Sequence, residues 1–525
     1  MSVVNLHSLD IAVIAGYFIF VIAMGWWVYR NTRTGDDYFL AGRTLSWSVI
    51  GFSLFASNIS STTLIGLMGT AYTTGISVAN YEWMAVFILV FMVFFSIPFY
   101  LKSGIRTIPE YLEKRYSRRC RTYFSTLNIF LIVFVDMAAG LYAGAMALQL
   151  FFSGLELWQL CAIIAVVAGF YTASGGLKAV AYTDVAQAVI LLIGASAITY
   201  ALLAELDFDW ILALAQLPKE QLSLIRPLND PTLPWLGTLV GVPIIGFYFW
   251  SCNQFITQRI LGARNIKHAR WGALFAGFLK VMPLFIMIIP GALALLVFPD
   301  IANGDLVFPT LMVELLPAGM LGLVLSALIA AVMSSVDSSL NSASTLITLD
   351  FIENPSKPLK PEQTAKIGRI LTLILMTISA IWAPWIEHFP GLWFYLQAVL
   401  AYAIPPVVVV FLFGMLWKRG TAKAAYVTLW VSHLSAAGLF VLTMGGFLSL
   451  HFTYVAAILF VVGTIVYVAV SLATPQPTAD QLRDLCYSKG ASDEAEQGDV
   501  ALWKDYRWQS AVLVLFTCVV VILFW

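Results

Sequence analysis

Two hydroxyl-rich stretches interrupt otherwise apolar parts of this 525-residue chain. The first, FASNISSTT, covers residues 55–63, and six of its nine residues are Ser, Thr or Asn. Such side chains compete with the backbone for hydrogen bonds and loosen a helix, and unpaired carbonyls are tolerated in a membrane only where they line a cavity. These oxygens suit a hard cation such as sodium. The stretch therefore predicts a broken helix with a cation site, or alternatively a tightly packed Ser/Thr helix interface.

The second stretch, MSSVDSSLNSAST, covers residues 333–345 and again lies deep in an apolar run. Ser334, Asp337, Ser338 and Asn341 follow one another at spacings of three and four, so they share one helix face. Two polar faces that are far apart in sequence and both deep in the membrane are expected to close around one ion. A broken helix with a counterpart in a later repeat is typical of alternating-access transporters.

Several charged residues lie inside apolar runs, where a charge costs at least about 2.5 kcal/mol unless it faces a cavity or a partner. They are Glu82, Asp136, Asp184, Lys280 and Asp337. Glu82 and Asp184 lie near the ends of their runs, so they also have the alternative of reaching the interface. Lys280 lies deeper, and two interpretations stay open: a buried pair with an acid that joins two helices, and a contact with a substrate.

The elements that position these residues are membrane helices. The chain is 60% hydrophobic and only 11% charged, whereas soluble domains are about a quarter charged, so it is predicted to be an all-α polytopic membrane protein surrounded by lipid. Its net charge of zero argues against nucleic-acid binding, and its five scattered cysteines predict neither a disulfide framework nor a zinc site. About fourteen runs are long enough to span: 10–29, 45–70, 80–101, 123–153, 156–173, 179–204, 235–257, 271–298, 307–346, 370–386, 391–414, 424–447, 452–472 and 508–525. The run 307–346 is too long for one simple span.

The distribution of basic residues predicts the orientation of these spans. Of the 29 Lys and Arg residues, 26 lie in seven alternate loops, two lie in the other loops, and the last is Lys280. Because basic loops stay in the cytoplasm, both termini are predicted to lie outside.

Seven motifs in this order resemble the sodium:solute symporter family, and within it the sodium/sugar (glucose–galactose) branch. They are DDYFLAGR (36–43), ASNIS (56–60), YEW (81–83), GGLKAVAYTD (175–184), NQFITQR (253–259), SSVDSSLNSASTLITLD (334–350) and FYLQ (394–397). The resemblance runs from about residue 10 to residue 412. It implies a LeuT-like fold with a ten-helix core of two inverted five-helix repeats. These would be residues 45–204 and 235–414, after an extra helix and cytoplasmic loop in 1–44 and before additional helices in 415–525.

The resemblance also implies a mechanism, in which sodium moving down its gradient drives solute uptake by alternating access, without an organic cofactor. The family's sodium ligands correspond here to Ala56, Ile59, Ala331, Ser334 and Ser335. Some members have a second ion site, which would correspond to Asp184, Ser334 and Ser338. One or two coupled sodium ions are therefore expected.

The substrate site implied by the resemblance mixes hydrogen-bond donors and acceptors with aromatic faces, as a polyol requires. It comprises Asn58, Ser60, Thr63, Tyr81, Glu82, Tyr248, Trp250, Lys280 and Gln397, with Phe249 as a gate. Two positions depart from the branch. Thr63 and Gly246 are shorter than the residues common there, which predicts a larger site and leaves the particular sugar, or inositol, open.

Other functions are weighed against sugar symport. A symporter for sialic acid, an amino acid or a carboxylate shares the same broken helix, although an acidic substrate would want a cation near Asp136 and none is evident in the sequence. A sugar sensor or leak channel would use the same sites. A membrane enzyme is disfavoured, because the five histidines form no ligand cluster and neither HExxH nor GxSxG occurs. Compact loops and the lack of a targeting pattern favour a bacterial inner membrane; the oligomeric state has no signal in the sequence.

Overall fold

The computed structural model describes residues 6–30, 35–149, 151–152, 154–353, 359–388, 392–482, 484–486 and 501–524. In this part of the chain every named element is a helix, and only two isolated β-bridges occur. Eleven described helices are long and apolar enough to span a membrane, or 13 if each of two bent pairs is one span. The predicted run 156–173 corresponds to a shorter apolar segment, Leu157–Gly169. This segment is the first part of a helix that is kinked at Gly176 (φ 60°, ψ −159°) and continues to Glu205. The all-helical prediction is confirmed, while the exact count of fourteen spans and the outside termini stay predictions.

The bundle is built from the following helices. They are α1 Ser8–Tyr29, α2 Trp47–Asn58, α3 Ser61–Thr74, α4 Asn80–Phe91, α5 Arg118–Leu131, α6 Ala138–Gln149, α7 Leu157–Glu205, α8 Trp235–Phe247, α9 Gln254–Leu261, α10 Ile266–Leu279, α11 Ile289–Val297, α12 Val307–Leu315, α13 Met320–Leu346, α14 Pro361–Trp382, α15 Leu392–Ala403, α16 Pro405–Leu416, α17 Ala422–Met444, α18 Phe452–Leu472 and α19 Tyr506–Leu523. The run 307–346, predicted to be more than one simple span, is divided into α12 and α13.

The predicted break in the first hydroxyl-rich stretch is confirmed. Helices α2 and α3 meet at 59°, and Ile59, with φ −82° and ψ 81°, ends the helical geometry. Ser60 is extended, and its hydroxyl accepts a hydrogen bond from the backbone N–H of Thr63 at 3.3 Å. An N-cap of this kind satisfies one of the otherwise unpaired donors at the start of a helix, so the polar residues both end α2 and begin α3.

A second break occurs between α8 and α9. The backbone widens to a π-helical turn over Tyr248–Cys252 and becomes extended at Asn253, whose side chain accepts from the N–H of Phe255 at 3.2 Å. The two breaks fall in the first span of each predicted repeat. The boundaries of the repeats themselves stay predictions.

Helix α13 lies at the centre of the bundle and is buried along most of its length. It packs against α7, α2 and α1. At its start, the carboxylate of Asp10 accepts from the N–H groups of Gly319 and Gly322, both at 2.7 Å, which fastens α1 to α13. Helices α2 and α10 also approach closely, since a Cβ atom on Gly51 would meet the Phe275 ring at 2.4 Å. These contacts hold the hydroxyl-rich face of α13 against the broken span.

Candidate functional site

Four of the five predicted sodium ligands meet where α2 ends against the middle of α13. The Ser334 hydroxyl lies 3.0 Å from the carbonyl oxygens of both Ala56 and Ala331, and the Ser335 hydroxyl lies 3.0 Å from that of Ala331. All four residues are buried, and Ile59 follows directly at the break. Hydroxyl and carbonyl oxygens from two distant segments therefore converge at one point, which is the arrangement that a hard cation requires.

A cavity of about 130 Å³ lies beside this group of oxygens. Eight of the nine predicted substrate residues and the predicted gate line it: Asn58, Ser60, Thr63, Tyr81, Glu82, Trp250, Lys280, Gln397 and Phe249. Tyr248 is the exception, because its hydroxyl lies 3.4 Å from the side-chain oxygen of Asn128 and the residue is not part of the wall. Ser335 also lines the cavity, so one side chain borders both the ion group and the substrate space.

Lys280 joins three elements at the wall of the cavity. It follows the last residue of α10, its ammonium group forms an ion pair with Glu82 of α4, and it donates a hydrogen bond to the side-chain oxygen of Asn58. The ring of Trp250 lies 5.9 Å from the ammonium nitrogen. The two interpretations of Lys280 thus meet in one residue, since the helix-joining pair itself forms part of the cavity wall.

Two buried acceptors in the cavity have no hydrogen-bond partner among the described residues. They are Oε1 of Gln397 and Oδ2 of Asp136. Asp136 belongs to a π-helical turn, Ile132–Met137, and such turns are frequent at functional sites. Because buried polar atoms are nearly always paired, these two are available to a bound solute. The sequence indicated Asp136 as a deep charge near the substrate, although it was not among the predicted substrate-binding residues, and the structure places it in the cavity wall.

Aromatic residues close the cavity on two sides. The rings of Tyr81 and Trp393 meet edge to face at 5.4 Å, and both also line a neighbouring cavity of about 310 Å³. This pair therefore separates the two cavities, and Trp393 was not predicted. On another side, Phe249 packs on Trp250 and Phe255 with ring centres 5.2 and 5.5 Å apart.

The predicted enlargement of the site stays a prediction, although the space beside Gly246 is filled. A Cβ atom on Gly246 would meet the terminal methyl group of Ile88 at 2.5 Å, so Ile88 occupies the space that a side chain would need. Thr63, the other short residue, donates a hydrogen bond from its hydroxyl to the carbonyl of Asn58 at 3.0 Å, which ties it to the helix break. The absence of a side chain at Gly246 changes the shape of the wall and adds an apolar methyl group to it.

The residues of the predicted second ion site also meet, but around a guanidinium group. Arg259, in the last turn of α9, lies 3.0 Å from Asp184 and 2.6 Å from the hydroxyl of Ser53. It also donates to the hydroxyls of Ser57 and Ser338. The side chains of Arg259 and Asp184 are 1% and 0% exposed, so this is a fully buried ion pair.

This cluster changes the interpretation of the second site. Ser338 donates a hydrogen bond to the carbonyl of Ser334 at 2.5 Å, which links the cluster to the first ion group through one turn of α13. A positive charge already lies against Asp184, although its Oδ1 atom has no hydrogen-bond partner among the described residues. In the sequence, Arg259 stands out only as part of the motif NQFITQR, because its contacts come from three other helices.

Comparisons with known proteins show which family and which relatives the chain is similar to. The model of the sodium:solute symporter family matches residues 38–432. The chain is 34% identical to the sodium/myo-inositol cotransporter of Mus musculus, over 91% of this chain and 75% of that protein. It is 33% identical to the sodium/glucose cotransporter 1 of Oryctolagus cuniculus, over 93% of this chain and 82% of that protein.

Two solved structures share the fold. A Na⁺-coupled sialic acid symporter in a substrate-bound, outward-open state is 25% identical with a TM-score of 0.80, and the match covers 90% of this chain and 100% of that one. Mhp1, a nucleobase-cation-symport-1 family transporter in a closed conformation, is 17% identical with a TM-score of 0.56. That match covers 86% of this chain and 98% of the Mhp1 chain.

Proposed function

The chain belongs to the sodium:solute symporter family and is a sodium-coupled solute symporter in a membrane, and on that premise we propose that its solute is a neutral sugar or polyol. The observation that carries the proposal is the ion pair between Lys280 and Glu82 in the cavity wall. The positive charge of Lys280 is thus already neutralised by Glu82 before a solute binds.

The charge of the cavity argues for a neutral solute. A carboxylated solute would need an unmatched cation, because burying a charge is costly unless it is paired and hydrogen-bonded. Lys280 is already paired with Glu82, and the other carboxyl group in the wall, that of Asp136, is an acid as well. A polyol brings no charge, so it leaves the pair intact.

The hydrogen-bonding groups of the cavity suit a molecule with several hydroxyls. Gln397 and Asp136 offer unpaired acceptor atoms, and Asn58 offers its amide nitrogen in addition to the oxygen that Lys280 contacts. Trp250 and Phe249 offer apolar faces for the C–H surface of a ring. Relatives that carry myo-inositol and glucose are similar to this chain over most of its length, and both solutes fit this chemistry.

We propose that the coupling sodium binds at the oxygens of Ala56, Ile59, Ala331, Ser334 and Ser335, and that transport proceeds by alternating access. An ion there would bind one arrangement of α2 and α13 better than another and so shift their equilibrium. Each sodium entering gains about 2.3 kcal/mol per 100 mV of membrane potential. A second sodium at Asp184 would share this carboxylate with the guanidinium of Arg259, which lies 3.0 Å from Oδ2. It would bind at the unpaired Oδ1 or after the guanidinium moves away. A bacterial inner membrane remains the predicted location.

The test is uptake into proteoliposomes of labelled glucose, galactose, N-acetylglucosamine, myo-inositol, proline and sialic acid, with an inward sodium gradient and with potassium in its place. Accumulation of one sugar or inositol with sodium alone is the expected result. A second candidate, a carboxylated sugar, is favoured by the 25% identity to the sialic acid symporter, and accumulation of sialic acid alone would establish it. Sugar binding without accumulation above equilibrium would indicate a sensor or leak and contradict symport.

A further inference from the structure

An aromatic groove lies on the outside of the bundle between α10 and α19, away from the substrate cavity. It has a volume of about 630 Å³ and is apolar along most of its wall. At one end it is lined by four tryptophans: Trp47, Trp271, Trp503 and Trp508. At the other end it is lined by Phe278 and Phe516. Most of these rings are substantially exposed, for example 54% for Trp508 and 41% for Phe516.

The tryptophan end of this aromatic groove has a basic rim. The ammonium nitrogen of Lys267 lies 4.8 Å from the Trp271 ring centre, and that of Lys504, which also lines the groove, lies 4.6 Å from the Trp503 ring centre. Neither lysine forms an ion pair with a described residue. The sequence has no acidic residue between Arg259 and Asp300, so α10 starts in a locally positive segment. The nearby Asp505 caps α19 by accepting from a backbone N–H.

The two helices that form the aromatic groove run side by side in the same direction. The guanidinium of Arg270 lies 4.0 Å from the Tyr506 ring centre near their starts, and a Cβ atom on Gly277 would meet Leu513 at 2.9 Å further along. From Trp508 to Phe516 the groove extends over eight residues, or about 12 Å at 1.5 Å per residue. Half of a hydrocarbon core of about 30 Å is only slightly longer.

We propose that the aromatic groove binds one anionic phospholipid, with its phosphate at Lys267 and Lys504 and one acyl chain against the aromatic wall. Tryptophans concentrate at the level of lipid headgroups, and basic clusters at that level attract anionic lipids. A zwitterionic lipid carries its own cation, which these lysines repel. The basic rim lies at the end of the bundle where the basic loops are, so the lipid belongs to the predicted cytoplasmic leaflet.

The position of the groove gives the lipid a structural role. Trp47 is the first residue of α2, whose other end carries the oxygen of Ala56, and α10 ends at Lys280. A lipid held between Trp47, α10 and α19 therefore packs against both helices that lead to the transport site, and it stabilises their contact.

The test is native mass spectrometry of the full chain in detergent, titrated with phosphatidylglycerol or with phosphatidylcholine of the same acyl chains. The wild type is expected to bind its first phosphatidylglycerol at least about tenfold more tightly. The double variant Lys267→Gln/Lys504→Gln loses this preference. The control Lys418→Gln/Lys423→Gln keeps it. This control neutralises two exposed lysines, one in the loop before α17 and one in its first turn. Sodium-dependent uptake in phosphatidylcholine vesicles verifies that each variant is folded.

A second variant tests the apolar half of the site without changing a charge. Val512→Trp fills part of the groove and is expected to weaken the binding of the first phosphatidylglycerol by a similar factor of about ten. Equal affinity for the two lipids, or an unchanged preference in Lys267→Gln/Lys504→Gln, would overturn the proposal. Displacement of the phosphatidylglycerol by soluble glycerol phosphate at equal concentration would indicate a simple anion site and would also overturn the proposal. A co-purified protein that protects the groove from both lipids would overturn it as well.

Discussion

The ammonium group of Lys280 and the carboxylate of Glu82 form an ion pair in the wall of the substrate cavity, although they come from helices far apart in the chain. Their side chains are 1% and 5% exposed. Removing one partner of such a buried pair typically costs about 3–5 kcal/mol, because the other charge is left uncompensated. The pair therefore sets both the stability of the α4–α10 contact and the charge that a solute meets.

Glu82→Gln is expected to change the selectivity of the cavity. Without the carboxylate, Lys280 has no counter-charge, so the KM for the neutral solute should rise at least about tenfold and carboxylated sugars should become inhibitors. The measurement is the inhibition of sodium-driven uptake of the labelled neutral solute, with glucuronate and glucose compared as inhibitors. Glu314→Gln, which removes an exposed acid in α12, is the control. If glucuronate still fails to compete, the neutral-solute argument is wrong.

Ser335→Ala is expected to lower the apparent affinity for sodium. Its hydroxyl, from α13, is one of the few side-chain oxygens near the end of α2. The loss is read from the sodium affinity, in which each tenfold decrease corresponds to about 1.4 kcal/mol. Sodium titrations of uptake at saturating solute measure the effect. Ser326→Ala is matched to it, because Ser326 is buried in the same helix and bonds only within it, to Gly322 at 2.7 Å. Unchanged sodium dependence in Ser335→Ala would remove this residue from the site.

Gln397→Ala is expected to separate solute binding from ion binding. The Oε1 atom of Gln397 has no partner among the described residues, so truncation exposes no other group and should remove only a bond to the solute. The KM for solute should rise about two- to tenfold, since a net hydrogen bond contributes about 0.5–1.5 kcal/mol and 1.4 kcal/mol corresponds to a factor of about ten. The sodium dependence at saturating solute should change little. Gln397→Asn shortens the side chain but keeps the amide, and recovery of part of the affinity is expected. Equal losses in both titrations would indicate a structural defect.

The general architecture could be predicted because its signals are local. Apolar runs predict helices, and the polar residues from Ser57 to Thr63 favour a break between α2 and α3, because they compete with the backbone for hydrogen bonds. The long run 307–346 likewise had to be divided. The span count depends on whether 157–169 crosses the membrane, which its composition does not decide.

The parts of the site that escaped prediction depend on tertiary contacts. Tyr248 lies beside the gate in sequence, yet the π-helical turn directs its hydroxyl to Asn128. The space beside Gly246 is occupied by Ile88 of another helix. The partners of Arg259 come from α2, α7 and α13. No spacing rule within one segment reports such contacts, so neither the wall shape nor the buried guanidinium was visible in the sequence.

The buried pair of Arg259 and Asp184 gives the sharpest test of how many sodium ions are coupled. Arg259→Gln removes the positive charge from Asp184 and from the hydroxyls of Ser57 and Ser338, so a vacated site rich in oxygen remains. If the guanidinium takes the place of a second ion, the Hill coefficient for sodium should rise from about one towards two, the number of sites.

Stability measurements on the same pair verify that the two side chains act together. Asp184→Asn and Arg259→Gln should each lower the free energy of unfolding by about 3–5 kcal/mol, because each leaves one buried charge without its partner. The double variant removes both charges, so its loss should be smaller than the sum of the two single losses. Added sodium should stabilise Arg259→Gln more than the wild type, because it replaces the lost cation. Arg226→Gln, which breaks a pair with Asp230 at 2.9 Å in a loop, is the control and should show neither effect. Additive losses together with an unchanged Hill coefficient would mean that Arg259 is a structural residue and that the second ion, if bound, lies elsewhere.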